Sequence, residues 1–443
     1  MAQKRVLAIH DISCFGKCSL TVALPIISAT GVECTVMPTA VLSTHTGGFK
    51  GYTYRDLTDD LLPITEHWKT LGLGFDAIYT GFLGSFEQID IVSKIFDELK
   101  GKDTLIIVDP VMADNGELYP IFDKDFPKGM IKLCAKADVI VPNITEAVML
   151  LGEEYVKGPY SKEYIEGLLK RLGGIGSKKI VLTGVFFDDR HLGAAAYDTR
   201  TGTVSYAFHE LIPGYYHGTG DVFGSVVVSA LMNGSGLRRA NELAVEFTAK
   251  SIMRTRDAGT DIRFGVNFEE GLGTLAKKIR EAQTMRFCGT DDAKELAAMA
   301  NDIWTEYYST FFDTELPRYF LGRFQSEEAI RQQIKDGYLY SFIKDGGEKA
   351  GYFAILPKGD SLFLSKLYIS KDFRGKGLGS RTLDEVLERG RAMKMRRVYL
   401  RVNKDNTPSR DIYLHKGFVI AEDIVEPIED GFVLDDYLME YVF

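Results

Sequence analysis

The sequence predicts an α/β protein of two domains: a parallel-sheet α/β/α sandwich, then a smaller mixed α/β domain. Three observations carry this. At 443 residues the chain exceeds what one hydrophobic core usually organises. Up to about residue 270, strand-like apolar runs alternate with helix-length amphipathic segments, the signature of a parallel sheet covered by helices. After a charged segment, LAKKIREAQT, the order changes to helices first and strands later.

Val6–Ile9 reads as a buried strand, followed by a glycine-containing turn and a helix-length run, Ser19–Ala29. Further strands are expected at Cys34–Met37, Ala77–Tyr79, Leu105–Val108, Val139–Val141 and Ile180–Leu182. In such sheets function collects at the carboxyl ends of the strands. Those ends read His10-Asp11, Thr80-Gly81, Asp109-Pro110, Pro142-Asn143 and Thr183-Gly184. The seam falls near 280–284, dividing the chain into domains 1–283 and 284–443, with a new strand-like start at Met285–Phe287. Helices are then expected at Ala293–Tyr308 and Glu327–Asp336, and strands at Leu339–Ile343, Lys349–Leu356, Leu362–Ile369 and Val398–Val402.

Hydrophobic residues at 45% and charged residues at 26% are ordinary for a globular protein. The net charge of -9 disfavours nucleic acid as a partner and points to small molecules. Cys14, Cys18, Cys34, Cys134 and Cys288 are odd in number and lack CxxC spacing, which reads as reduced intracellular thiols. The opening MAQKRVLAIHDISCFGKC is unlike a secretory signal, and no run approaches the roughly 20 apolar residues of a membrane span. A cytoplasmic location is the expectation.

The sharpest feature of the first domain is HGTGDVFGSVVVSALMNG, from His217 to Gly234. Gly218 and Gly220 permit tight turns, Thr219 adds a hydroxyl, and Asp221 stands where an apolar helix begins. Amides at a helix start hold the charge of a transferring phosphoryl group, and an adjacent carboxylate accepts the proton of an attacking hydroxyl. An aspartate capping the helix after a glycine turn would read the same way. GTGD late in an α/β chain resembles the anion-hole and base motif of the ribokinase superfamily, and residues 1–275 fit that scheme. AIHDISCFGKCSLTVALPIISATGVE, VLSTHTGGF, DPVMAD and VPNITEAVMLLG together resemble its pyridoxal kinase branch, with the hydroxymethylpyrimidine kinases as near relatives.

The resemblance implies ATP-dependent phosphorylation of the 5'-hydroxymethyl group of a vitamin B6 vitamer: pyridoxal, pyridoxine or pyridoxamine. It makes Asp221 the base and Gly218, Thr219 and Gly220 the anion hole. Asp109, Thr183 and Gly184 fall on the nucleotide side. Asn143 and Glu146, the NxxE of NITE, match residues that organise Mg2+ through water. The same pair suits a helix cap with its third-position partner, and both readings hold together. His45 and Thr46 match a segment that approaches the pyridine ring. Where many pyridoxal kinases have a serine, this chain has Asp11, a carboxylate that would favour a cationic vitamer. The branch also implies a homodimer, and leaves a monovalent-cation requirement open.

In the second domain, Arg374-Gly375-Lys376-Gly377-Leu378-Gly379 joins a strand to a helix, a turn that exposes amides to a pyrophosphate beside two basic side chains. This R-x-x-G-x-G spacing resembles the coenzyme A loop of the GNAT superfamily. Asn406, Tyr413 and Gly417-Phe418 continue the resemblance as its N-x6-Y-x3-GF ending. It implies an acetyl-CoA-dependent N-acetyltransferase in which Tyr413 protonates the departing thiolate, although Tyr413 also suits a core-facing helical aromatic. Trp304, Tyr307, Tyr308, Phe311, Phe312, Asp435 and Asp436 would line the pocket of an unidentified amine acceptor. The alternative to a bifunctional enzyme is a hydroxymethylpyrimidine kinase joined to a module that binds acetyl-CoA without turning it over.

Overall fold

The computed structural model describes residues 3–283, 287–308, 315–345, 348–427 and 433–443. The chain separates into two compact units, residues 1–283 and 284–443. The strand start expected at Met285–Phe287 lies, apart from Phe287, outside the described residues.

The strands of the first unit are β1 (Arg5–Phe15), β2 (Glu33–Thr44), β3 (Tyr54–Asp56), β4 (Ala77–Thr80), β5 (Leu105–Val108), β6 (Ala113–Asp114), β7 (Glu117–Leu118), β8 (Val139–Ile140), β9 (Lys179–Asp188), β10 (His191–Asp198) and β11 (Thr203–Glu210). Nine of them form one sheet in the order β3-β2-β1-β4-β5-β8-β9-β10-β11, while β6 and β7 make a separate hairpin. From β2 to β9 the neighbours run parallel, and β3, β10 and β11 add antiparallel edges. The continuous apolar runs have the cause expected of a sheet covered on both faces. Leu7, Ile9, Ile78 and Ile106 enter one core with the helices Phe86–Leu99 and Phe126–Lys136. Val6, Ala77, Tyr79 and Ile107 enter the other with Leu20–Ala29, Thr219–Met232 and Leu237–Asp257. The order of strands reverses between β1 and β4, which opens a crevice at their carboxyl ends.

Two differences from the sequence expectation shape that crevice. β1 does not end at Ile9: after a register shift between His10 and Ile12 it pairs with β2 as far as Phe15. His10 is therefore no rim residue. It is fully buried, its ring 4.5 Å from that of Tyr79, and burial holds its imidazole down at about 3. The second difference is the antiparallel pair β10–β11, turned through Thr199–Gly202, where no strands were expected.

The second unit carries β12 (Leu339–Asp345), β13 (Glu348–Lys358), β14 (Ser361–Ile369), β15 (Arg397–Asn403), β16 (Val419–Pro427) and β17 (Val433–Val442), in the sheet order β12-β13-β14-β15-β17-β16. β14 and β15 run parallel and pair from Ser361 to Leu364. Beyond that point β14 continues to Ile369 beside β13 and β15 to Asn403 beside β17, without further pairing to each other, so the two strands part. A helix at Glu315–Phe324 adds to those expected. No helix among the described residues is long and apolar enough to cross a membrane.

In the first unit, the helix Thr219–Met232 begins at Gly218, whose φ of 76° lies in the left-handed region. A Cβ there would collide with the Lys17 carbonyl oxygen, so the helix start and the turn after β1 touch backbone to backbone. Gly218→Ala is expected to destabilise this unit by about 2 kcal/mol, measured by urea denaturation.

Candidate active site

A cavity of about 840 Å³ opens where the strand ends of the first unit meet the start of Thr219–Met232. It is lined by Asp11, His45, Thr46, Asp109, Asn143, Glu146, Thr183, Gly184, Gly218, Thr219, Gly220 and Asp221, so every residue to which the resemblance gave a role in the first domain reaches one space. Asp109 follows β5 directly, and its amide donates to the Thr80 carbonyl at 2.9 Å. Asn143 forms a bridge to Thr183, which holds the segment after β8 against the middle of β9.

Asp221 stands in the first turn of its helix, where the backbone amides and the helix dipole favour negative charge. Burial nevertheless raises its carboxyl to about 7, opposed by the Ser19 backbone amide and assisted by Asp11. Asp11 accepts the Ser19 hydroxyl on Oδ1 at 2.5 Å and the Ser13 hydroxyl on Oδ2 at 3.2 Å. Its own carboxyl is raised by burial against these bonds.

Asn143 and Glu146 form the capping box of the helix Ile144–Leu151: Asn143 Oδ1 accepts the Glu146 amide at 2.9 Å, and Glu146 Oε2 accepts the Asn143 amide at 2.8 Å. Glu146 Oε1 also accepts the Met112 amide at 3.2 Å. Burial raises the carboxyls of both Glu146 and Asp109, and Asp109 is pushed further by the charges of Glu146 and Asp221. Asp11, Asp109, Asp114, Glu146, Glu210 and Asp221 all line the cavity, and among the described residues no lysine or arginine does.

His45 is engaged by the protein itself. Its Nδ1 accepts the Gly47 amide at 3.1 Å, so Nε2 carries the proton and donates to the Arg263 carbonyl at 2.6 Å. The neighbouring imidazole is His217, which lines the cavity with its ring 5.1 Å from that of His45. Sequence reasoning quoted His217 without giving it a role, although its place directly before Gly218 was the available signal. Ser19, Cys18 and Tyr215 are further cavity residues that it passed over.

In the second unit the turn between β14 and the helix Leu378–Ala392 contains Gly375 and Gly377, both at φ 74°, with open space around each. Arg374 is turned inward: Nη2 bonds Glu306 at 2.6 Å, Nε donates to the Ile369 carbonyl at 2.9 Å, and the guanidinium lies 4.8 Å from the Tyr307 ring. Lys376 stands 3.7 Å from Asp345, and Gly379 lies in the first turn of the helix. Asn406 caps Thr407–His415, accepting the Ser409 amide at 3.3 Å and the Tyr307 hydroxyl at 3.4 Å. Tyr413 packs against Phe418, and burial raises its hydroxyl to about 12. Asp435 and Asp436, expected to line an amine pocket, are paired with Lys404 and Arg401. Trp304 packs against Phe320 and Tyr368, while Phe311, Phe312 and the side chain of Tyr308 lie outside the described residues.

The family model for phosphomethylpyrimidine kinase matches residues 24–265, and that for the acetyltransferase (GNAT) family matches residues 296–418. A crystal structure of a candidate phosphomethylpyrimidine kinase from Bacteroides thetaiotaomicron, in an orthorhombic form with pyridoxal, is 40% identical. It covers 62% of this chain and 96% of its own, with a TM-score of 0.59. Pyridoxal kinase from Lactobacillus plantarum is 31% identical over 63% of this chain and 98% of its own, with a TM-score of 0.58. Pyridoxine kinase of Bacillus subtilis is 30% identical over 185 residues, 41% of this chain and 66% of that relative.

Proposed function

The chain belongs to the phosphomethylpyrimidine kinase family and carries a GNAT acetyltransferase domain at its C-terminus. From that premise we propose that the first unit transfers the γ-phosphoryl group of ATP to the 5'-hydroxymethyl group of a vitamin B6 vitamer. The observation that carries this reading is Asp221 at the start of a glycine-capped helix, in the same cavity as Asp11 and the Asp109–Glu146 pair. Two of the similar structures, one holding pyridoxal and one named pyridoxal kinase, favour a B6 vitamer over a pyrimidine as substrate.

Asp221 would take the hydroxymethyl proton as the oxygen bonds to the γ-phosphorus and the bond to the β-phosphate oxygen breaks, releasing ADP. The amides of Gly218, Thr219 and Gly220 would hold the charge on the transferring group. Thr183 and Gly184 would contact the nucleotide, and Thr46 and the ring of His45 the pyridine side. Magnesium fits the donor set: the cavity offers carboxylate and amide oxygens and no lysine or arginine among the described residues, and the charges of Asp109 and Glu146 act on each other there. Asp109, with Asn143 and Glu146 through water, would hold it, and it would supply charge neutralisation on the phosphate oxygens.

We propose that the second unit is an acetyl-CoA-dependent N-acetyltransferase. The amides at the start of Leu378–Ala392, with Gly375, Gly377 and Gly379 around them and Lys376 beside them, would receive the coenzyme A pyrophosphate. Arg374, paired with Glu306, would shape this turn, and Asn406 would set the start of the helix that carries Tyr413. A hydroxyl raised to about 12 is protonated at neutral pH, as a donor to the departing thiolate must be.

Asp221→Asn is expected to lower kcat for B6 phosphorylation by about 10²–10⁴-fold, measured as ATP consumption with each vitamer and with hydroxymethylpyrimidine. Turnover of the pyrimidine alone would replace the vitamer as substrate. Because the free base must be ionised, kcat/KM should fall as pH drops through about 7. The same raised carboxyl makes stability highest at low pH and lost as pH rises towards 7, so Asp221→Asn should raise Tm at pH 8 and leave it unchanged at pH 4.

Asp11→Ser should reduce the ratio of kcat/KM for pyridoxamine over pyridoxal by about tenfold, and an unchanged ratio would remove Asp11 from vitamer selection. Tyr413→Phe should cut acetyl transfer to a panel of amines by about 10²-fold while acetyl-CoA binding, followed by calorimetry, stays unchanged.

A further inference from the structure

Ser19 occupies the N-cap of Leu20–Ala29, where a serine hydroxyl ordinarily accepts an amide of the first turn. Here it makes no cap bond. Its backbone sits at φ 55°, ψ -128°, a region that side chains avoid and glycine accepts, and the residue is 5% exposed. The conformation has a local result: the hydroxyl donates to Asp11 Oδ1 at 2.5 Å, while the amide of the same residue faces the Asp221 carboxyl, which it draws downward against burial. A bridge to Ile12 ties this backbone to the strand that carries Asp11. A strained residue that gives up its own helix cap to link two cavity carboxylates marks a functional constraint.

We propose that Ser19 is a positioning residue that fixes the spacing between Asp11 and Asp221, so that one rigid substrate meets both carboxylates at once. The inference rests on the kinase reading above. Asp11 then meets the cationic part of a heterocycle and Asp221 its hydroxymethyl group, and the distance between those two groups on the substrate is what the Ser19 link selects. The hydroxyl acts through Asp11, whereas the amide, which no side-chain substitution removes, acts on Asp221.

The test compares Ser19→Ala with Ser19→Gly, alone and on an Asp11→Ala background. Both lack the hydroxyl, and only glycine relaxes the backbone. KM for the vitamer is expected to rise about tenfold in both, with kcat within about threefold of wild type. Tm should be about 2 °C higher for Ser19→Gly than for Ser19→Ala. On the Asp11→Ala background the substitution at Ser19 should have little further effect on KM or Tm. A KM that follows Tm between the two variants, or effects of Ser19 and Asp11 that add, would overturn the proposal. Non-additivity is read in Tm as well as in KM, so a wild type that phosphorylates no vitamer would remove the kinase reading and leave this test standing.

Discussion

The contact on which the first unit's site depends is the approach of the Lys17 carbonyl to Gly218. Because residue 218 has no Cβ, the start of Thr219–Met232 lies directly on the turn after β1. That turn is itself held from the other side, where the Lys17 amide donates to the Phe264 carbonyl at 3.0 Å and the Lys17 ammonium reaches Asn267 and Glu269. Gly265, at φ 84°, leaves Lys17 the room it occupies. Segments far apart in sequence thus meet at one backbone turn, and Asp221 arrives beside Ser19 and Asp11 as a result. A side chain at position 218 would move the helix start, and with it both the amides and Asp221.

The electrostatics of the cavity follow from that convergence. Several carboxylates share a space with no lysine or arginine among the described residues, and burial sets the direction of each shift: Asp11, Asp109, Glu146 and Asp221 are all raised. Backbone amides offset this at Glu146 and Asp221, and serine hydroxyls do so at Asp11. Buried carboxylates without a cationic side chain beside them cost stability relative to an apolar site of the same shape. Burial leaves the Asp221 carboxyl at about 7, within the range where a carboxyl can exchange a proton near neutral pH.

Much of this was legible in the sequence because it is written in local chemistry. GTGD needs glycine for a left-handed helix cap, NITE needs the i, i+3 pair of a capping box, and both signals are complete within a few residues. What was not legible depends on tertiary pairing. β1 runs on to Phe15 because β2 continues beside it, and the irregularity between His10 and Ile12 turns a polar pair that looked like a loop into a buried histidine and a cavity aspartate. The strands β10 and β11 were missed because the small residues of Gly193–Ala196 mark neither strand nor helix until a partner covers them. In the second unit, the basic and acidic residues read as ligand contacts turn out to be paired: Arg374 with Glu306, and Asp435 and Asp436 with Lys404 and Arg401. A charge in a motif states that a partner is needed and not whether that partner is a ligand or another side chain.

That distinction bears on how the two units would recognise phosphate. Gly218 and Gly377 both cap a helix in the left-handed conformation, at φ 76° and 74°. Around the first cap the cavity side chains are acidic, and beside the second Arg374 is already neutralised by a carboxylate. At the second helix start the Arg381 guanidinium donates to the Lys376 carbonyl at 3.2 Å, and Lys376 itself stands 3.7 Å from Asp345. What the two helix starts share for an anionic group is a set of oriented backbone amides, whose geometry is fixed by a glycine. Amides discriminate by position, since they have no reach. The first helix start faces a cavity of carboxylates, whereas the second follows a turn with open space around Gly375 and Gly377, so an anion at the first would need cations with it and one at the second would not.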